Sequence, residues 1–254
     1  SSLNHFTNWT PKLGLTYNLH KMGAYVNYSQ GFVPPQITEM YNAIRVPYLL
    51  PQQFSNYEIG TWFQFGELSG ELSLYKMKGQ NEIISVRQTD GVNLNQNAGS
   101  TIHQGIEYQF QYPLKKRIKL IVNGTYANHK YDKTIIKGTD VSGKTMSAAP
   151  HYINNTSLQW SPRKQIQISA EWLHQSAYYM DEVNTTKYPG FDLLNLRCNY
   201  QIGKHELWLH ILNATNSYYS TMATKNFSIK GNAAYSYYIG EPRSIALGWR
   251  WNIY

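Results

Sequence analysis

Apolar and polar side chains alternate with a period of two along most of this chain. In the first segment Leu13, Leu15, Tyr17 and Leu19 share one face, with Gly14, Thr16 and Asn18 on the other. Successive side chains of a strand point to opposite faces, so this alternation predicts a β-strand with one apolar and one polar side. The rhythm returns at residues 24–28, 59–65, 106–112, 118–122, 166–172, 194–200, 207–211 and 245–253. One segment departs from it. In residues 72–77 the apolar phase slips after Leu74, which predicts either a β-bulge or a strand with a less polar inner face.

The connections between these segments alternate in length. Short ones fall near residues 20–23, 67–70, 113–116, 161–164 and 203–205, and long ones at 33–55, 85–96, 133–150, 181–189 and 221–235. Tight turns at one end and long polar loops at the other are what an outer-membrane β-barrel requires. The count is about eleven strands, each long enough to cross ~25 Å of apolar girdle at a tilt. An odd number does not close an ordinary antiparallel barrel, but eleven is half of the 22 strands of a plugged outer-membrane transporter. The predicted fold is therefore all-β: an antiparallel transmembrane β-barrel, present here as its C-terminal half. The first and last strands would both run toward the short-turn end.

Composition sharpens this picture. The chain holds 22 Tyr, 7 Trp and 8 Phe against 15% charged residues. Mean hydropathy is −0.50, and no apolar stretch approaches the ~18 residues of a membrane helix. A barrel strand shows lipid and lumen in turn, so its average is polar and hydropathy does not discriminate. Tyr17, Tyr28, Tyr112, Trp160, Tyr200, Trp249 and Trp251 cluster where strands meet connections, as interfacial girdles do. The formal charge is +8, scattered apart from Lys115-Lys116-Arg117, which is too short a run for a nucleic-acid surface. The single Cys198 excludes an internal disulfide and sits in an apolar register as a small hydrophobe. Ser, His and Asp are abundant, but no nucleophile elbow or Gly-rich phosphate cradle appears, so neither an enzyme nor a cofactor is expected. The histidines show no paired metal spacing on one strand. His151 and His174 read as loop or lumen polar residues.

Several stretches resemble TonB-dependent outer-membrane receptors. They are Tyr25-Val26-Asn27-Tyr28-Ser29-Gln30-Gly31-Phe32 with Pro34-Pro35 and Glu39-Met40-Tyr41, then Asn56-Tyr57-Glu58-Ile59-Gly60. Next come Asn97-Ala98-Gly99 with Gln104-Gly105-Ile106-Glu107, and finally Leu212-Asn213-Ala214-Thr215-Asn216 with Tyr218-Tyr219 and Gly240-Glu241-Pro242-Arg243. Arg243 is expected to orient the approach to the last strand. Tyr254 departs from the family pattern, lying one place out of phase with Trp249, Trp251 and Ile253. The opening Ser1-Ser2-Leu3 shows no initiator Met, basic n-region or apolar h-region, which fits either a processed precursor or, the preferred reading, a piece of a longer chain. Residues 1–254 are expected to be the C-terminal half of the barrel, with plug and first half absent.

The resemblance implies a Gram-negative outer-membrane receptor for energised uptake of a scarce nutrient, a ferric siderophore first, with cobalamin or glycan within the family. The implied partners are the N-terminal plug, the first half of the barrel, the TonB–ExbB–ExbD energy complex reached through that plug, and outer-membrane lipid or lipopolysaccharide. Haem is disfavoured, because no histidine lies between His20 and His103. Ferric siderophores are often anionic and rich in catechol or hydroxamate oxygens, which suit Arg and Tyr. The candidate ligand residues are Arg45 and Tyr48 in the first long loop, Arg87 in the second, and Tyr178, Tyr179 and Asp181 near the fourth. Lumen-facing Glu58, Glu107, Lys119, Glu171, Arg197 and Arg250 are expected to pair across the wall or with the plug. The rival class is a passive porin-like barrel or a surface adhesive β-protein.

Overall fold

The computed structural model describes residues 7–40, 48–87, 93–97, 99–136, 138–227 and 233–252. In chain order the elements are β1 (Lys12–Leu19), β2 (Met22–Val33), the one-turn helix α1 (Ile37–Met40), β3 (Gln52–Phe65), β4 (Leu68–Gln80), β5 (Ile83–Arg87) and β6 (Asn93–Asn97). They continue with β7 (Ser100–Lys115), β8 (Ile118–Lys133), β9 (Ile135–Ile136), β10 (Thr139–Asp140), β11 (Tyr152–Arg163), β12 (Ile166–Gln175), β13 (Tyr178–Tyr179) and β14 (Lys187–Tyr188). The last are β15 (Phe191–Ile202), β16 (His205–Leu212), β17 (Ser220–Phe227), β18 (Ala233–Ile239) and β19 (Ser244–Trp251).

Eleven of these strands form one antiparallel sheet in the order β1-β2-β3-β4-β7-β8-β11-β12-β15-β16-β19. The other eight pair into four small hairpins inside the long loops. Each wall strand lies beside its neighbour along the chain, so the sheet is a meander. Among the described residues β1 and β19 each have a partner on one side only.

Register is what makes the sheet a wall. Leu15 pairs with Val26, Val26 with Ile59, Ile59 with Leu74, and Leu74 with Ile106. At the far side Cys198 pairs with Leu209, and Leu209 with Leu247. Directly paired residues share a face, so the apolar rows of all eleven strands join into one continuous surface. Its side chains are open: Leu15 is 71% and Leu247 77% exposed. A water-soluble sheet would bury this face, and among the described residues nothing covers it. The opposite face carries Glu58, Ser73, Glu107, Asn123, Glu171 and Arg197.

The slipped segment in β4 is resolved without a bulge. Every residue from Leu68 to Gln80 pairs in unbroken register with β3, and the pairing with β7 is equally continuous. The phase slip is instead Tyr75 and Met77 facing the polar side, opposite Gly105 and His103. Bulges occur elsewhere, between Pro113 and Lys115 and between Trp160 and Arg163. Both hold a proline, which has no N–H to give to the ladder.

Five two-residue turns close one end, at residues 20–21, 66–67, 116–117, 164–165 and 203–204. Gly66 (φ +61°) and Gly203 (φ +57°) supply the left-handed backbone at two of them. All long connections lie at the other end. The last strand is described as far as Trp251 and Asn252, and the phase of Tyr254 falls outside the described residues.

Candidate functional site

The long loops assemble onto one another above the wall. Asn97 ties the second loop to the first, its amide donating to Leu50 O (2.9 Å) while its Oδ1 accepts from Leu50 N (2.8 Å). Asn95 Nδ2 donates to Glu39 O at 2.8 Å. Ile84 of the second loop packs with Tyr131 near the end of β8 and with Ile136 and Val141 of the third loop, and Val183 of the fourth joins the same cluster. Asn184 then bridges the third and fourth loops, with its Oδ1 accepting from Thr145 N and its Nδ2 donating to Thr145 O. A second cluster, Tyr178, Met180, Tyr188 and Ala223, joins the fourth loop to the β17–β18 hairpin. Each loop is thus held by the next, and a surface built on them is preorganised.

The candidate residues separate within this cap. Tyr48 is open, at 89% exposure, two residues from the Asn97–Leu50 tie. Tyr179 is half-buried, with Lys187 Nζ 4.7 Å from its ring centre, a cation–π contact at the loop surface. Arg87 ends β5, its backbone paired with Asn93. Arg45 lies outside the described residues. Tyr178 and Asp181 turn inward. The Tyr178 hydroxyl accepts from Ala223 N at 2.7 Å, and burial pushes its pKa up. Asp181 is fully buried. Its carboxylate accepts from Thr185 N, Thr186 N and Thr185 Oγ1, each at 2.9 Å, with Lys225 Nζ 4.0 Å away. Asp181 holds the fourth loop's shape and Tyr178 ties that loop to β17, and the polar atoms of both are occupied in these contacts.

Sequence reasoning missed a charged knot where the second loop meets the wall. His103 and His129 are directly paired on β7 and β8 and face the lumen, with their Nδ1 atoms 2.8 Å apart. His103 Nε2 lies 2.9 Å from Glu82, which also accepts from Thr101 Oγ1. Burial alone would raise the Glu82 pKa, but His103, Thr101 and His129 outweigh it and hold the carboxyl below its usual range. No sequence spacing announces this group, because the strands are joined by a turn and the partners meet only through register. Among the described residues no set of three His, Cys, Asp or Glu side chains converges to hold a metal. His174 is placed neither in a loop nor in the lumen. It lies on the outward face beside Trp172, with Asp192 2.9 Å away.

The lumen side pairs its own charges in part. Arg197 reaches Glu171 at 2.7 Å, and Asn155 and Asn195 donate to the same carboxylate at 3.0 and 3.1 Å. Arg250 lies 3.3 Å from Glu206 on the neighbouring strand. Tyr25 donates to Glu58 at 2.6 Å. A concavity of about 750 Å³ opens here, lined by Tyr25, Glu58, Trp62, Glu71 and Glu107. At the start of the last loop, Asn213 (φ +48°) and Asn216 (φ +55°) form a tight turn. Asn216 Oδ1 accepts from Arg243 N at 3.0 Å, which fixes the approach to β19.

Comparison with known proteins follows the same lines. A family model described as TonB dependent receptor-like, beta-barrel matches residues 1–243. The ferric yersiniabactin uptake receptor FyuA from Yersinia pestis superimposes with TM-score 0.74 at 14% identity, over 96% of this chain and 37% of that one. The siderophore receptor PiuA from Acinetobacter baumannii gives 0.74 at 19% identity, over 94% and 35%. The copper transporter OprC gives 0.76 at 15% identity, over 94% and 38%. At these identities the likeness is one of fold. This chain spans little more than a third of each of these structures.

Proposed function

Because the chain belongs to the TonB-dependent receptor-like β-barrel family, we propose that it forms the C-terminal half of a 22-stranded, plugged barrel in the outer membrane of a Gram-negative bacterium. The observation that carries this is the eleven-stranded wall with two one-sided edges. An edge strand presents a row of N–H and C=O groups, and each unpaired one costs several kcal/mol in hydrocarbon. Eleven further strands bonded to β1 and β19 satisfy both rows, and a plug fills the wide lumen that results. The energy complex acts on that plug.

The cargo we propose is a ferric siderophore, received by the loop cap. Tyr48 and Tyr179 with Lys187 offer aromatic faces and a cation suited to an anionic, oxygen-rich chelate. Arg45 and Arg87 belong to the same proposal through their place in the loops. The reading is tested with the intact protein that carries this chain, in energised cells supplied with radiolabelled ferric catecholate, hydroxamate and citrate complexes. Energy-dependent accumulation of one class, reduced by Tyr48→Ala through weaker binding, is expected. Accumulation that persists after the membrane potential is collapsed points to a passive pore and overturns it. A copper(II) salt is the fourth arm, since the His103–His129 pair lies at the mouth. Uptake of copper alone would replace the siderophore as cargo.

A further inference from the structure

The meander gathers at one rim a charge that is dispersed in the sequence. Each two-residue turn, taken with one residue on either side, contributes to a set of twenty positions. These hold Lys21, Lys115, Lys116, Arg117, Arg163, Lys164 and Lys204 against Glu67 alone, a net of +6 out of the chain's +8. All seven cations are exposed. Arg117 also reaches across to the neighbouring turn, donating to Pro162 O.

A second regularity is independent of the charge count. Tyr17 precedes Lys21, Tyr112 precedes Lys116, Trp160 precedes Lys164 and Tyr200 precedes Lys204, each by four residues. Register puts all four rings on the outward apolar face, where they are exposed. The fifth hairpin keeps the ring and inverts the charge, with Phe63 four residues before Glu67. Register sets each ring two strand positions above the pair that flanks the turn, with the lysine one step beyond, and three steps at ~3.3 Å each, tilted by about 45°, descend roughly 7 Å. That is close to the depth of a headgroup layer beyond a ring anchored at the hydrocarbon boundary. The rings fix a height, and the cations stand at phosphate level below it.

We propose that the short-turn rim binds the phosphate headgroups of anionic phospholipids in the adjoining leaflet, through Lys21, Lys116, Lys164 and Lys204 with Arg117 and Arg163. The inference rests on the membrane placement given above. Cations on flexible stems reach headgroups at little cost to the wall, and their attraction to an anionic surface is screened by salt.

The test inserts the intact protein into nanodiscs of phosphatidylcholine mixed with phosphatidylglycerol. Insertion is read first, from its resistance to unfolding on an unheated gel. Retained phospholipids are then counted by native mass spectrometry. Phosphatidylglycerol is expected to be enriched over phosphatidylcholine, with about a fivefold loss of preference for each lysine neutralised. A combined Lys21→Gln, Lys116→Gln, Lys164→Gln and Lys204→Gln variant should insert normally and lose most of the enrichment. Raising the salt should weaken it in the parent protein. Equal retention of the two lipids, or an unchanged preference in the quadruple variant, overturns the proposal while leaving the barrel reading intact. Displacement by millimolar inorganic phosphate would show a site for the free anion and overturn the lipid assignment. Failure of the parent protein to insert removes the membrane placement and this inference with it.

Discussion

Leu209→Arg tests the face assignment most directly. Leu209 sits in the body of β16 on the outward side, between Cys198 of β15 and Leu247 of β19. An arginine there has no acid within its row and must hold its charge against hydrocarbon. Leu209 stands two positions, about 5 Å, above Leu207, the partner of the girdle residue Tyr200, so the cost lies between the midplane and interfacial values, at about 1–3 kcal/mol. At about 1.4 kcal/mol per tenfold, the folding equilibrium constant falls about 5- to 140-fold. The control is one residue away. His210 faces the lumen between Arg197 and Ala246, so His210→Arg adds a like charge opposite Arg197, worth at most ~1 kcal/mol. That is about fivefold, and Glu171 beside Arg197 lowers it further. The assay is urea titration of the intact protein folding into lipid vesicles, followed by gel mobility without heating. Equal midpoints for the two variants, or a larger loss for His210→Arg, would refute the register of the wall.

Other expectations concern the loop cap. Asp181→Ala removes the fully buried acceptor of three hydrogen bonds from Thr185 and Thr186, and each donor that water does not reach is left unsatisfied at ~1–3 kcal/mol. Amide exchange should quicken in residues 178–190 while the wall stays protected. Glu82 has its folded pKa held down, so it stabilises the second loop above the ordinary carboxylate range, and that contribution fades as pH falls through the lowered value. Exchange at residues 81–87 should therefore rise on acidification, and Glu82→Gln should remove most of that dependence. Gly79→Ala places a Cβ 2.1 Å from Glu82 Oε1 and 2.4 Å from Thr101 Oγ1, so it should displace the same carboxylate and loosen the same loop at neutral pH. An unchanged exchange rate in that variant would mean that Glu82 does not pin the loop.

By itself the sequence determined the wall. Periodicity, parity and connection length are local properties, and a period of two leaves each side chain only two faces to choose between. The rows read from Leu13 to Trp251 accordingly meet edge to edge in the structure, and even β4 kept its register once Tyr75 and Met77 were allowed to face inward. What the tertiary structure decided was every relation between strands and loops. Tyr178 and Asp181 look in sequence like the exposed loop residues beside them, yet packing against Ala223 and Thr185 turns them inward. The Glu82–His103–His129 knot and the cationic rim arise from residues far apart along the chain. A meander sets such residues side by side only when hydrogen-bonded register fixes which position faces which, and that register is a property of the assembled sheet.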